Sequence, residues 1–170
     1  MALFFFGSLM DRDLLSVVLG RGTGHLAFDS ARLTGVARRT VRGEAYPVLV
    51  ERPSSHVEGL LVHGLSTAER DRIAFYEGTD YDLRPCNVIV RDQPRAARYF
   101  AATPSLVASA DPWSMDDWQV RHKPLALLQS RMMMGHFGRV AIHQTNELWA
   151  ASRKRAVAEL GAQRPARRRA

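Results

Sequence analysis

The order of the predicted secondary-structure elements constrains the fold of this chain most. Short β-like segments cluster between residues 24 and 102, and most of the helical patterns follow residue 114. A doubly wound parallel sheet would need strands and helices that alternate regularly along the chain, and this order does not provide them. The sequence therefore predicts an α+β domain with a small mixed, largely antiparallel β-barrel and surrounding helices.

Two helices in the first half of the chain have recognisable boundaries. Asp11 can cap a helix that Gly20 ends. Ser66 is followed three residues later by Glu69, which is the signature of a capping box, and Gly78 stops that second helix. The first strand, ALFFF (residues 2–6), reads as short and buried.

Other segments have weaker signals. We predict a turn at residues 52–56 (RPSSH) and a loop at residues 103–112 (TPSLVASADP). Helices are predicted near the C-terminus, with a break at Pro124, over residues 114–123, 125–135 and 146–160.

The basic residues are concentrated at the end of the chain. The 170 residues carry a formal net charge of +7, of which residues 1–150 contribute only +1. We predict a single domain over residues 1–160 and a basic, disordered tail over residues 161–170. A tail that docks to nucleic acid or anionic lipid is the alternative. No RNA-binding aromatic signature accompanies it, so nucleic acid is not favoured as a partner.

The sequence also limits the cellular compartments and the kinds of site that can be expected. The N-terminal apolar run ends at Asp11 and lacks a basic leader, so it does not resemble a signal peptide. No apolar run approaches the roughly 18 residues of a membrane span. Cys86 is the single cysteine, so an internal disulfide is excluded. The six histidines show no metal-ligand spacing. We predict a cytoplasmic protein without a metal site.

Glu77 is the sharpest candidate for chemistry. It lies in IAFYEGTDY (residues 73–81), among apolar side chains and directly before the glycine that ends a helix. Burial and the negative end of the helix dipole both disfavour the charged carboxylate, so both would raise its pKa toward the range of a general acid or base. A solvated glutamate at a helix end is the alternative.

The turn FGSLM (residues 6–10) is the second candidate. A strand ends there, a helix begins, and backbone N–H groups in such a turn can hold an anion. Gly7 would permit close approach of a ligand to the backbone. Ser8 is a poor candidate for a nucleophile, because no G-x-S-x-G motif surrounds it.

Four segments together resemble the gamma-glutamylcyclotransferase-like superfamily, including its avirulence-induced-gene type. LFFFGSLM resembles the family's first strand and turn, and YPVLV with VEGLLVHGLS resembles its central strands. AERDRIAFYEGTDYDLRPCNVIV resembles its helix, glutamate and following strand. WQVRHKPLALLQ is similar to a C-terminal helix of some bacterial members, so the chain is identified as a bacterial member.

The resemblance implies a reaction and roles for particular residues. A γ-glutamyl amine or amino acid would close on itself to 5-oxoproline, with Glu77 moving the protons and no metal or cofactor involved. The backbone of Gly7, Ser8 and Leu9 would grip the anionic group of the substrate. Tyr81 and Arg84 match positions near the pocket.

One departure from the family pattern leaves a rival hypothesis open. The usual tyrosine of the turn is Phe6 here, so its hydroxyl is absent. The rival is a non-catalytic member of the same fold that binds a small metabolite and docks to a partner through its basic C-terminus. The sequence makes no prediction of the oligomeric state.

Overall fold

A computed structural model describes residues 1–163 of the chain. The six strands are β1 (Leu3–Phe5), β2 (Ala27–Val41), β3 (Pro47–His63), β4 (Tyr81–Val90), β5 (Gln93–Ala102) and β6 (Ala108–Pro112). The five α-helices are α1 (Arg12–Leu19), α2 (Thr67–Glu77), α3 (Met115–Arg121), α4 (Lys123–Met134) and α5 (Thr145–Gln163). Two short 3-10 helices span Ser8–Met10 and Ile142–Gln144.

Five of the strands close into a barrel. Its circular order is β1, β3, β2, β4 and β5, which returns to β1. The β1–β5 pair is parallel and the other pairs are antiparallel, while β6 extends the sheet beside β2. The helices pack around this barrel, so the predicted α+β class with a mixed, largely antiparallel barrel is confirmed.

Strand β1 is buried on both of its faces. Successive side chains of a strand point to opposite sides, so Leu3 and Phe5 face the helices, while Phe4 and Phe6 face the interior of the barrel. All four are at most 7% exposed. A strand with both faces covered reads as a continuous apolar run, which explains why LFFF lacks polar alternation. The predicted buried strand is thereby confirmed.

Two sequence predictions of irregular structure are wrong. Residues 52–56 belong to β3, although the register jumps there: Glu51 pairs with Val36 and His56 with Thr34, which leaves 52–55 as an irregularity opposite Gly35. The Pro and Ser residues therefore mark an interruption in pairing within a continuous strand.

The predicted loop at residues 103–112 contains strand β6. Its sequence, ASADP, has little intrinsic strand preference, and the strand exists because it pairs with the end of β2 at Arg39 and Val41. Buried Trp113 follows it and donates from Nε1 to the Ala45 carbonyl oxygen at 2.8 Å, which holds this segment against the loop between β2 and β3.

The helix ends predicted at Asp11, Gly20, Ser66 and Gly78 agree with the structure. The break predicted at Pro124 is wrong: it falls at His122, because Pro124 lies in the first turn of α4, where a proline removes no helical hydrogen bond. The Asp11 carboxylate accepts hydrogen bonds from the backbone N–H groups of Asp13 and Leu14. The capping box of Ser66 and Glu69 is complete. Helix α5 continues to residue 163, and residues 164–170 of the predicted tail lie outside the described part of the chain. Within residues 1–163, none of the helices has the length and apolar character needed to cross a membrane.

Gly59 offers a test of how tightly β1 closes the barrel. An added Cβ would lie 2.3 Å from the Phe5 carbonyl oxygen and 2.6 Å from the Phe4 ring. We expect Gly59→Ala to lower the free energy of unfolding by about 1–3 kcal/mol in urea denaturation, because the added Cβ would clash with a backbone oxygen that cannot move aside as a side chain can. Gly24→Ala is the control, because a Cβ there meets nothing within 4 Å. Equal stability of the two variants would contradict the tight closure.

Candidate functional site

A cavity of about 540 Å³ opens between the barrel and the helices. Its lining comes from β1 and the turn after it, the loop between β2 and β3, the C-terminal end of α2 and helices α3 to α5. A concave site with mainly apolar walls and a few polar groups is typical of small-molecule binding. Most of the candidate residues from the sequence line it, namely Phe6, Gly7, Ser8, Leu9, Glu77 and Tyr81.

Glu77 is the last residue of α2 and lines this cavity. Gly78 follows with φ of +68° and ψ of −150°, a positive-φ conformation that glycine adopts readily and that stops the helix. A Cβ at Gly78 would also lie 2.7 Å from Thr145 Oγ1, so the glycine permits α5 to approach the end of α2 closely.

The environment of Glu77 favours its protonated form. Burial raises the pKa of the Glu77 carboxyl to about 8, and no hydrogen bond or ion pair from residues 1–163 offsets that burial. A group that titrates near neutral pH can both accept and return a proton. The arrangement therefore suits a general acid and base better than a surface carboxylate would.

The turn after β1 presents backbone donors to the same cavity. The 3-10 helix Ser8–Met10 begins directly after Gly7, and the N–H groups of its first residues have no partner within the helix. Gly7 is needed for packing, because a Cβ there would lie 2.8 Å from Pro47 Cγ. The side of Gly7 that a Cβ would occupy is thus filled by Pro47 at the start of β3.

Phe6 occupies the barrel side of the cavity. Its ring is 7% exposed and packs edge-on against Tyr99, with the ring centroids 6.2 Å apart. The side chain fills space between the barrel interior and the cavity, and it offers no hydrogen-bonding group.

Three tyrosines, Tyr46, Tyr76 and Tyr81, line the same cavity as Glu77. Tyr81 donates to the Pro47 carbonyl oxygen at 3.2 Å and packs edge-on against Tyr46, with the centroids 6.4 Å apart. Burial, and after it nearby carboxylates, raise the pKa of Tyr46, Tyr76 and Tyr81, so all three remain neutral phenols. Sequence reasoning did not identify Tyr46 or Tyr76 as site residues, although Tyr76 directly precedes Glu77.

Arg84 does not lie in the cavity, which corrects the prediction from the resemblance. It stands three residues after Tyr81 on β4, and side chains at an odd separation point to opposite faces of a strand. Tyr81 packs against the helix-side core, whereas the Arg84 side chain is 63% exposed and pairs with Asp82 at 3.1 Å. The Arg84 side chain therefore lies on the face of β4 opposite to Tyr81 and outside the cavity lining.

The C-terminal helices close the cavity, and sequence reasoning assigned them no site residue. Helices α3 and α4 line it with Trp118, His122, Leu125, Ala126, Gln129 and Ser130. Helix α5 contributes Asn146, Trp149, Ala150 and Arg153. In α5 the spacing of three, one and three residues places these four on one helical face, which is the signal that could have found them.

A buried polar cluster attaches the turn after β1 to α3 and α4. The Asp11 carboxylate accepts hydrogen bonds from Gln119 Nε2 at 2.8 Å and from Lys123 Nζ at 2.7 Å, and Lys123 also binds Asp13. Burial works to raise the pKa of Asp11, and these hydrogen bonds together with that of Leu14 N–H leave it lowered. The charged carboxylate thus fixes the cavity wall to the turn.

The described residues do not assemble a metal centre. Among residues 1–163, no group of three or more His, Cys, Asp or Glu side chains is arranged to hold a metal ion. The cavity itself is lined by the carboxyl groups of Glu44, Glu77 and Asp80, and Glu44 is paired with Arg153.

Comparison with known proteins identifies relatives of this chain. The sequence model of the family "Gamma-glutamyl cyclotransferase, AIG2-like" matches residues 3–120. AIG2-like protein A of Arabidopsis thaliana is 27% identical over 125 residues, which span 71% of this chain and 73% of that protein. Protein AIG2 C of the same plant is 28% identical over 124 residues, or 70% and 72% of the two chains.

Solved structures share the fold. The solution structure of an Arabidopsis thaliana protein aligns with a TM-score of 0.55 at 25% identity, covering 72% of this chain and 74% of that one. A structure named gamma-glutamyl cyclotransferase aligns with a TM-score of 0.52 over 88% of this chain and 86% of that one. Its identity is 13%, so this second likeness concerns the fold alone.

The raised pKa of Glu77 has a measurable effect on stability. The folded-state value of about 8 exceeds the ordinary 4.5, so the folded protein binds more protons than the unfolded chain between these pH values. The wild type therefore loses free energy of unfolding as pH rises through this interval, with a limiting slope of about 1.4 kcal/mol per pH unit. We expect Glu77→Gln to lose this dependence in urea denaturation at pH 5.5 to 8.

The matched control is Glu51→Gln, a change at an exposed glutamate on β3. It should retain the pH dependence of the wild type. Parallel curves for the wild type and Glu77→Gln would contradict the raised pKa of Glu77.

Proposed function

The chain belongs to the gamma-glutamyl cyclotransferase, AIG2-like family, and from this premise we propose that it releases 5-oxoproline from a γ-glutamyl amide. The substrate would be a γ-glutamyl amine or a γ-glutamyl amino acid. The observation that carries the proposal is Glu77, a carboxyl group of raised pKa without a protein partner among the described residues, in a cavity that the turn after β1 also lines.

The reaction is an intramolecular acyl transfer. The substrate's α-amino nitrogen attacks its own γ-carbonyl carbon, a C–N bond forms, and the bond from that carbon to the leaving amine breaks. Glu77 in its carboxylate form accepts the proton released by the attacking nitrogen and returns a proton to the leaving nitrogen. Both nucleophile and carbonyl belong to one molecule, so a cavity that holds the chain curled supplies much of the rate advantage.

The turn after β1 is the proposed anchor of the substrate. The backbone N–H groups of Ser8 and Leu9 lie at the positive end of a 3-10 helix and would bind the substrate's α-carboxylate. The Tyr81 hydroxyl donates to Pro47, so its oxygen remains an acceptor for the substrate's ammonium group. Phe6 would contribute shape alone.

Several finer points remain predictions. They are the bacterial origin, the cytoplasmic setting and the single domain over residues 1–160. The relatives reported above come from Arabidopsis thaliana, so the origin of this chain is a separate question.

Incubation with a panel of γ-glutamyl amides tests the proposed reaction. We expect 5-oxoproline, detected by mass spectrometry, from at least one of them. Glu77→Gln should lower kcat by about 10²- to 10⁴-fold, because the amide cannot take the proton. Glu51→Gln should retain the wild-type rate. Full activity of Glu77→Gln would refute the assigned role.

The same panel separates the enzyme from its rival. A protein that yields no 5-oxoproline from any substrate, and yet binds γ-glutamyl compounds in calorimetry, would support the metabolite-binding hypothesis. The observation that favours this rival is that position 6 is a phenylalanine, which has no hydroxyl group to bind the substrate.

The pH profile gives a second test of the mechanism. Glu77 must be unprotonated to accept the proton of the attacking nitrogen, and its pKa is about 8. We therefore expect kcat/KM to rise with pH and to level off above about pH 8. A profile of kcat/KM that is flat between pH 6 and 9 would contradict a base with this pKa.

A further inference from the structure

One face of helix α5 forms a continuous wall of the cavity. Asn146, Trp149, Ala150 and Arg153, which we call the α5 wall, all line it. The wall lies beyond residues 3–120, the part of the chain that matches the family. The reactive carboxyl and this wall therefore come from separate parts of the sequence.

The α5 wall is fixed relative to Glu77. Trp149 donates from Nε1 to the carbonyl oxygen of Tyr76 at 3.2 Å, and the two rings pack edge-on with their centroids 5.1 Å apart. Gln129 of α4 donates to the Trp149 carbonyl oxygen at 3.2 Å. Because Tyr76 directly precedes Glu77, these contacts fix the position of the Trp149 ring relative to Glu77.

The charged groups beside the wall already have protein partners. Arg153 pairs with Glu44 of the loop between β2 and β3. Asp80 accepts hydrogen bonds from Ser105 at 3.0 Å and from Asn146 at 3.5 Å. Arg153 and Glu44 offset each other's charge, and Asp80 is already hydrogen-bonded, so a charged ligand group would compete with these partners for the same atoms.

Several apolar side chains line the same cavity as the α5 wall. Trp118, Leu125, Ala126 and Pro47 lie with Trp149 and Ala150 in its lining. Contact with such surfaces favours an apolar group, and it discriminates by size and shape.

We propose that the α5 wall binds the amine half of the substrate. It selects a leaving amine whose alkyl or arylalkyl substituent carries no charged group. This inference rests on the proposed function, because it names the substrate class of the same site. The leaving amine takes its proton from Glu77 as described above, and the α5 wall contributes contact and selection.

Ala150 is the position that tests the wall most directly. It is exposed and lies in the cavity lining, so a larger side chain there can project over the mouth while the helix stays intact. Ala151 is the next residue, exposed and outside the lining, and so Ala151→Leu is the matched control.

The experiment measures binding of four γ-glutamyl amides by calorimetry in the Glu77→Gln protein, so that substrate is not consumed. The amines are phenethylamine, methylamine, glycine and a diaminoalkane. We expect the phenethylamide to bind most tightly. Ala150→Leu should weaken it by at least about ten-fold and change the methylamide by less than about two-fold. Ala151→Leu should change neither.

Three outcomes overturn the inference: tighter binding of the glycine or diamine compound, equal effects of Ala150→Leu on the large and small amides, or no effect on either. Turnover of the same amides by the protein with Glu77 intact is followed separately. Selective binding without 5-oxoproline would refute the proposed function and uphold the wall. Release of 5-oxoproline without selectivity among the amines would support the proposed function and refute the role of the α5 wall.

Discussion

Closure of the barrel by β1 is the constraint on which the remaining structure depends. This strand has three residues, and it pairs with β3 on one side and β5 on the other. Phenylalanines fill the barrel interior from one face of the strand, and Leu3 and Phe5 bind the helices from the other. Gly59 permits the close approach of the neighbouring strand. The position of the turn that follows, and so of one side of the cavity, is set by this packing.

Two helix ends with opposite dipole signs line the same cavity. The turn after β1 brings the positive end of a short helix, and α2 brings its negative end with Glu77 attached. Burial of the Glu77 carboxyl at the second end raises its pKa to about 8. Of the charged side chains that line the cavity, Glu44 and Arg153 are paired with each other, whereas the pKa of Glu77 is set by burial.

The local parts of this arrangement could be predicted from sequence, and the long-range parts could not. Gly78 and the Asp11 cap are read from neighbouring residues, so the ends of α1 and α2 were predicted correctly. Strand β6 forms because it pairs with β2, and the residues of β6 alone do not predict this pairing. Arg84 was misplaced because a motif gives its distance from Tyr81 along the chain and not the face of the strand. The α5 wall is visible as a helical face, but its partner surface lies far away in sequence.

Arg153 and Glu44 join α5 to the loop between β2 and β3. This pair links two segments that are distant in the chain and that carry none of the groups assigned to proton transfer. Helix α5 is also attached to the end of α2, because Trp149 Nε1 donates a hydrogen bond to the Tyr76 carbonyl oxygen. A replacement of α5 would therefore have to preserve two separate contacts, one with the loop between β2 and β3 and one with the residue before Glu77, so α5 is constrained from two distant parts of the chain.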